Sequence, residues 1–261
     1  MTPSRRRLEI AMPWLVIVGL LIVWQSAVHL FQIRPFILPS PTAIYDAFLQ
    51  YREPIISNSL FTLFNTLIGF TIGVIVGMLL GIVIGSFRLA YAGLYPLLIG
   101  INSVPKAAVV PILVLWMGIG GPPAITTAFL LSFFPIAVNV ATGLATVEPE
   151  LEDVLRSLGA SKLDILRKVG LPRTMPYLFA ALKVAITLAF VGAVISETIA
   201  SNDGIGYLML QAASQFRVPL MLAGLFVIAA LGIATYAIFA VLERRFTGWA
   251  TRREQTTFGG G

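Results

Sequence analysis

The sequence predicts an all-α polytopic membrane protein with six transmembrane helices, and three observations carry that prediction. The 261 residues are 57% hydrophobic and only 11% charged, where a soluble domain carries about a quarter charged residues. Six apolar runs, at residues 14–30, 61–84, 94–117, 125–145, 177–196 and 220–242, are each long enough to cross a hydrocarbon core of roughly 30 Å. Lys and Arg are spread unevenly over the connecting loops. With the N-terminus inside, thirteen fall on the inner side and three (Arg34, Arg52 and Arg217) outside. The positive-inside rule therefore places both termini in the cytoplasm. The net charge of +6 reflects this topology and is not a nucleic-acid signal.

Residues 1–13 form a short cytoplasmic segment with Arg5, Arg6 and Arg7, followed by a transmembrane domain over 14–246. The run 14–30 is long for a signal-peptide core and no small-residue cleavage site follows it, so it reads as a retained first span. His29 sits at its outer end as an interfacial residue. A polar stretch then contains Leu-Pro-Ser-Pro at 38–41, and the pattern after Pro41 predicts a short amphipathic helix along the membrane surface.

The second span carries Gly69, Gly73, Gly77, Gly81 and Gly85. At helical spacing these make one smooth stripe where another backbone can approach closely. Such a stripe serves tight packing within the subunit, or a helix that slides during a working cycle. The third span is interrupted by Asn102, Ser103, Pro105, Lys106 and Pro111. Proline removes a backbone hydrogen bond and kinks a helix, and irregular backbone at membrane depth is tolerated only where it is buried or lines a wet cavity. An ammonium at mid-membrane costs roughly 2.5–3.5 kcal/mol on insertion scales, so Lys106 faces either a pathway or a carboxylate partner. Gly and Pro at 118–123 predict a tight outer turn.

In the fourth span Pro135 and Asn139 mark another kink and an intramembrane amide. The fifth has Lys183 near its inner end, placed to snorkel toward the headgroups, and Ser196-Glu197 near its outer end. Glu197 precedes a polar outer loop, 201–206, and is either an interfacial carboxylate or part of an outer gate. The candidate pathway residues are thus Asn102, Ser103, Lys106, Asn139, Ser196 and Glu197. After Trp249 the chain turns polar, which predicts an unstructured cytoplasmic tail over 247–261.

Between the fourth and fifth spans lies a charged island, residues 148–172, on the cytoplasmic side. Pro149 suits a first helical turn, and the acids Glu148, Glu150, Glu152 and Asp153 complement a helix N-terminus. Gly159 fits a left-handed C-cap. Ser161 with Asp164 three residues on reads as a capping box that opens a second helix, and Leu171-Pro172 is expected to close the segment. Two short capped helices on an exposed loop predict a docking site.

Cysteine is absent, which excludes disulfides and thiolate metal sites, and the single histidine, His29, argues against a histidine-based metal site or catalytic triad. No GxxxxGK[ST] stretch occurs, so the chain has no phosphate-binding loop of its own. An ion-driven secondary transporter would show charged pairs in several spans and an inverted repeat. An intramembrane enzyme would need nucleophiles and bases, and the lack of Cys and the lone peripheral His29 leave few candidates.

The island also follows a family spacing. Asp153-Val154-Leu155, then Gly159, then Val169, Leu171 and Pro172 resemble the EAA signature of permease subunits of ATP-binding-cassette (ABC) importers, with Asp153 for Glu and the bulkier Val154 and Leu155 for two alanines. The stretches at 38–41, 104–120, 131–139 and 204–208 resemble the nitrate, sulfonate, taurine and bicarbonate importer subgroup. The resemblance implies a six-span type I importer fold in the bacterial inner membrane, paired as two copies or two related chains. It implies a coupling helix over Asp153, Val154, Leu155, Arg156, Ser157, Leu158, Gly159 and Ala160, with Leu171 and Pro172 behind it, seated in a cytoplasmic ATPase dimer. ATP and magnesium are expected on that partner, and no cofactor or metal in this chain. A periplasmic or lipid-anchored binding protein would deliver a small, anionic solute, or a pyrimidine- or flavin-type vitamin precursor.

Overall fold

Residues 3–146 and 148–257 are described by a computed structural model, and among them there are helices and turns but no strands. Helix α1 covers Pro3–Leu30, α2 Pro41–Gln50, α3 Arg52–Ser86, α4 Arg88–Asn102 and α5 Val110–Met117. They are followed by α6 Gly121–Ala145, α7 Pro149–Ser157, α8 Lys162–Ile165, α9 Leu171–Ala200, α10 Ile205–Ser214 and α11 Val218–Thr257. Among the described residues, five helices are long and apolar enough to cross a membrane, and six spans result when the bent pair α4 and α5 counts as one.

Helix α3 has 35 residues and, at 1.5 Å per residue, is about 52 Å long, well beyond the hydrocarbon thickness. Its glycine stripe lies against α6. A Cβ on Gly77 would stand 2.7 Å from the Phe133 carbonyl oxygen and 3.0 Å from Ile136 Cβ. At Gly81 and Gly85 it would stand 2.7 Å from Val140 Cβ and Leu144 Cβ. Gly69 and Gly73 face the Ile125 carbonyl and the Ser132 hydroxyl in the same way. The opposite side of α6 meets α9, where a Cβ on Gly192 would lie 2.8 Å from the Thr127 carbonyl oxygen. Helix α6 is therefore held at backbone distance from both neighbours. Phe70, Ile136, Val140, Leu178, Leu182, Ile186 and Phe190 fill the space between the three.

Helix α1 stands largely outside this core, with Trp14, Leu15, Leu20 and Val23 exposed. It is tied on near its outer end, where Trp24 and Phe226 lie 6.3 Å apart and Gln25 Nε2 donates to Thr42 Oγ1 at 3.1 Å. Gln25 also bonds His29 within α1, at 2.9 Å. The surface helix expected after Pro41 is α2. Ser40 is its N-cap, and the Ser40 hydroxyl accepts from the Ala43 amide at 3.3 Å.

Three expectations change. Leu171 is helical, at φ −61° and ψ −47°, so Leu171-Pro172 does not close a segment. A single π-turn over Leu166–Gly170 shifts the backbone register and accommodates the proline inside a run from Lys162 to Ala200. Lys183 does not snorkel. Its ammonium is 2.6 Å from the Glu243 carboxylate of α11, and it lies 5.9 Å from the Tyr236 ring centroid. This ion pair bridges α9 and α11 inside the bundle. Helix α11 continues to Thr257 instead of breaking at 247, while residues 258–261 lie outside the described residues. Glu and Arg continue in good helical propensity past Trp249, and the polar composition alone does not end a helix.

The packing makes the stripe a testable feature. Gly77→Val should lower the melting temperature of the purified protein, because overpacking costs about 1–3 kcal/mol. Gly100→Ala, at a position with open space around it, should leave it unchanged.

Candidate functional site

Three places in the bundle carry polar chemistry. The first is the island. Helix α7 ends in a Schellman turn. The Gly159 amide donates to the Arg156 carbonyl at 2.9 Å and the Ala160 amide to the Leu155 carbonyl at 3.0 Å, with Gly159 at φ +86°. Only glycine, or less readily asparagine, takes that conformation cheaply. Ser161 then opens α8 through a reciprocal capping box. Its hydroxyl accepts from the Asp164 amide at 3.2 Å, and the Asp164 carboxylate accepts from the Ser161 amide at 3.2 Å and from its hydroxyl. Glu148 reaches across the island to Arg173, 3.5 Å away, and so ties its two ends together.

The capped turn presents an apolar surface. Val154 is 56% exposed and Leu158 78%, while Asp153, Arg156, Ser157 and Gly159 are also exposed. Leu155 and Ala160 are half-buried. Leu155, whose carbonyl completes the Schellman turn, is thus sheltered, whereas Val154 points outward. Leu171 is half-buried and Pro172 exposed at the start of α9.

The second place is the broken span. Helices α4 and α5 meet at 77° across a short gap. Asn102 and Ser103 end α4, and a single 3-10 turn, Lys106–Val109, leads into α5. The Lys106 ammonium donates to the carbonyl oxygen and side-chain oxygen of Asn102, a cation on the carbonyl end of a helix, where the dipole favours it. It lies 5.9 Å from the Phe134 ring centroid. Asn102 and Ser103 are exposed and Lys106 half-buried. The break therefore displays an ammonium, an amide and a hydroxyl together. Asn139 bonds within its own helix, donating to the Pro135 carbonyl at 2.8 Å.

The third place is at the outer end of α9, where Ser196 and Glu197 are each only 1% exposed. In this conformation both lie inside the subunit. The reason is a cap supplied from a distance. Helix α10 begins after Gly204, which has no side chain to cap it. The Gly204 amide instead donates to Asn58 Oδ1 at 2.8 Å, the Ile205 amide to Thr62 Oγ1 at 2.9 Å, and the Gly206 amide to Glu197 Oε2 at 3.2 Å. The Thr62 hydroxyl itself donates to Glu197 Oε2 at 2.7 Å. The positive end of α10 thus receives a buried carboxylate, as helix N-termini do. Gly204 stands at φ +100°, and a Cβ there would run into the Glu197 carboxyl group. Nearby, the Gly120 amide donates to the Ala200 carbonyl at 3.2 Å and joins the outer turn to the end of α9.

Sequence reasoning did not single out Asn58, Thr62, Glu243 or the Glu148–Arg173 pair. A signal for the first two was present: Asn58, Thr62, Asn65 and Thr66 extend the face of the glycine stripe toward the outer end of α3 at helical spacing. The ion pairs span 60 residues in one case and 25 in the other, with no local pattern to announce them.

The family model described as binding-protein-dependent transport system inner membrane component matches residues 73–248, well over half of the chain. The chain belongs to this family. Relatives of this permease include the riboflavin transport system permease protein RibX of Chloroflexus aurantiacus, 36% identical over 232 residues, covering 88% of this chain and 87% of that protein. The SsuC protein of Escherichia coli (strain K12), named as an aliphatic sulfonates transport permease, is 32% identical over 250 residues and 95% of each chain. The formylaminopyrimidine transport permease protein ThiX of Halalkalibacterium halodurans is 29% identical over 250 residues, 95% of this chain and all of that one. Among solved structures, a chain of the MetNI methionine ABC transporter, in an inward-facing conformation, superposes with a TM-score of 0.67. It covers 76% of this chain and 98% of that one at 20% identity. This permease is therefore a multi-pass membrane protein with the type I importer fold and the transport role of an ABC permease.

The outer cap yields a direct test. Glu197→Ala leaves the Gly206 amide without its acceptor, at a cost of about 1–3 kcal/mol, while the Thr62 hydroxyl keeps the Asn58 carbonyl at 3.1 Å, and Gly204→Ala forces a side chain into a glycine-only conformation at a similar cost. Both should lower the melting temperature of the purified permease by several degrees, with Glu197→Gln, which keeps an acceptor oxygen, closer to the parent.

Proposed function

We propose that this permease forms the inward translocation pathway for a small anionic solute of the sulfonate, taurine, nitrate or bicarbonate class in the bacterial inner membrane. A binding protein delivers the solute to the outer face. Two copies of the chain, or this chain and a related one, stand on a cytoplasmic ATPase dimer, which holds the ATP and magnesium. The permease itself is non-catalytic. The observation that carries this reading is the island: an apolar surface at Val154 and Leu158, displayed on a helix whose end is locked by Gly159, has the build of a docking element. Its anchor, α9, runs from the island to the outer cap, so movement of the island is passed along one helix.

The pathway reading centres on the break between α4 and α5. Lys106, Asn102 and Ser103 offer an ammonium and neutral hydrogen-bond groups to an anion, on backbone whose irregularity needs a wet or protein-lined setting. Asn139 is a further candidate on α6. Ser196 and Glu197 act indirectly, by holding α10. The relatives named for riboflavin and formylaminopyrimidine favour a second reading of the cargo, an uncharged vitamin or vitamin precursor.

Two measurements test this. Gly159→Val should abolish co-purification of the ATPase and ATP-dependent uptake, while Gly159→Asn, which tolerates a left-handed backbone, retains much of both. Unchanged ATPase retention in Gly159→Val would remove the docking role. Lys106→Ala should reduce uptake of the anionic substrate by about tenfold or more, as expected when a charge-assisted hydrogen bond worth 1.5–3 kcal/mol is lost, and leave ATPase retention intact. Loss of assembly alone would make Lys106 only a cap for α4.

A further inference from the structure

Among the described residues, six buried side-chain polar atoms have no hydrogen-bond partner, and five of them belong to the outer end of the bundle. They are Glu197 Oε1 and Ser196 Oγ on α9, and Ser59 Oγ, Asn65 Nδ2 and Thr66 Oγ1 on α3; Trp24 Nε1 on α1 is the sixth. Each of the five side chains is at most 6% exposed. Ser59, Asn65 and Thr66 stand within about one helical turn of Thr62, whose hydroxyl bonds Glu197. Asn65 also lies beside Gly121, at the start of α6. The Glu197 carboxylate is therefore served on one side only. Its Oε2 receives Thr62 and Gly206, and its Oε1 is left bare within this polar layer.

We propose that Glu197 Oε1 and the hydroxyls of Ser59, Thr66 and Ser196 hold a small monovalent cation, of the kind of sodium, beneath the start of α10. Buried charges are paired or coordinate metals, and among the described residues no Lys or Arg pairs with Glu197. Buried hydroxyls keep free lone pairs, and an oxygen-only set suits a hard cation. Rotation of the Asn65 amide exchanges its nitrogen for its oxygen and adds a further acceptor. One carboxylate balances one charge, and no group of three His, Asp or Glu side chains that could hold a multivalent ion occurs among the described residues. A water molecule would satisfy the hydroxyls and leave the charge unbalanced. The backbone-distance contacts at Gly69 and Gly192 hold α3, α6 and α9 close together, which favours a small ion. The location also gives binding a consequence. A cation here joins α3 to α9 and, through Glu197 and Thr62, steadies the amides that open α10. It is independent of the docking role of the island and of the cargo.

The test is thermal unfolding of the purified full-length permease in sodium chloride, with choline chloride holding the ionic strength constant. The melting temperature of the parent should rise by about 4 °C between about 1 mM and about 100 mM sodium, the size expected when only the folded state binds the ion. Glu197→Gln, which keeps an acceptor oxygen but loses the charge, should lose the shift, and Ser196→Ala and Thr66→Val should reduce it. Asp203→Asn, which neutralises an exposed carboxylate in the adjoining loop, should keep it whole. A parent that responds equally to sodium and choline overturns the site, as does an undiminished shift in Glu197→Gln or its loss in Asp203→Asn. A parent stabilised by acid and not by sodium overturns it too, because Glu197 is then a protonated carboxyl group. If Glu197→Gln does not fold, Ser196→Ala and Thr66→Val decide the matter, and an undiminished shift in both overturns the site.

Discussion

The close approach of α3 to α6 is the constraint on which the rest of the bundle depends. Lipid tails are as apolar as leucine, so helices in a membrane gain little from burying oily side chains and associate through tight packing instead. Five glycines in register let two backbones meet along most of their length. With α6 fixed on one side by this stripe and on the other by Gly192, α9 has only one position in which Leu178, Leu182, Ile186 and Phe190 fill the remaining space. The outer cap and the island are then hung on these three helices.

Helix α9 joins the two ends of the molecule. At its inner end the π-turn runs it into α8 and the island. At its outer end it delivers Glu197 to the start of α10. A buried carboxylate is costly unless it is hydrogen-bonded, and here it receives a hydroxyl and a helix amide. The same contacts hold the outer loop on α3 through Asn58 and Thr62. A push on the island and a load on the outer loop therefore act on one element, and the Lys183–Glu243 pair carries α11 with it.

The island itself combines rigidity with one hinge. The Schellman turn at Gly159 and the capping box at Ser161 satisfy the backbone groups at these helix ends locally. The departure at Val154 and Leu155 from the two alanines of the family signature is resolved by their surroundings. Leu155 is sheltered beneath the turn, and Val154 adds apolar area to the exposed face.

Much of this was legible in the chain. Apolar run length and the loop positions of Lys and Arg determined the spans and their orientation, because the bilayer imposes one length and one charge asymmetry on every segment. The glycine spacing, the island caps and the surface helix at Pro41 were also readable, since caps and packing stripes are set by residues a few positions apart. Tertiary structure decided what depends on distant partners. The periodicity of Gly69 to Gly85 marked a smooth face but not that α6 lies on it. Glu197 read from sequence as either an interfacial carboxylate or part of an outer gate, and only the fold brings Thr62 and Gly206, from other elements, onto its carboxyl group. Lys183 found its carboxylate 60 residues away, and the proline at 172 is tolerated only because a π-turn precedes it. Charge and hydrogen-bond pairing over such separations is fixed by which helices pack, and local sequence does not encode that.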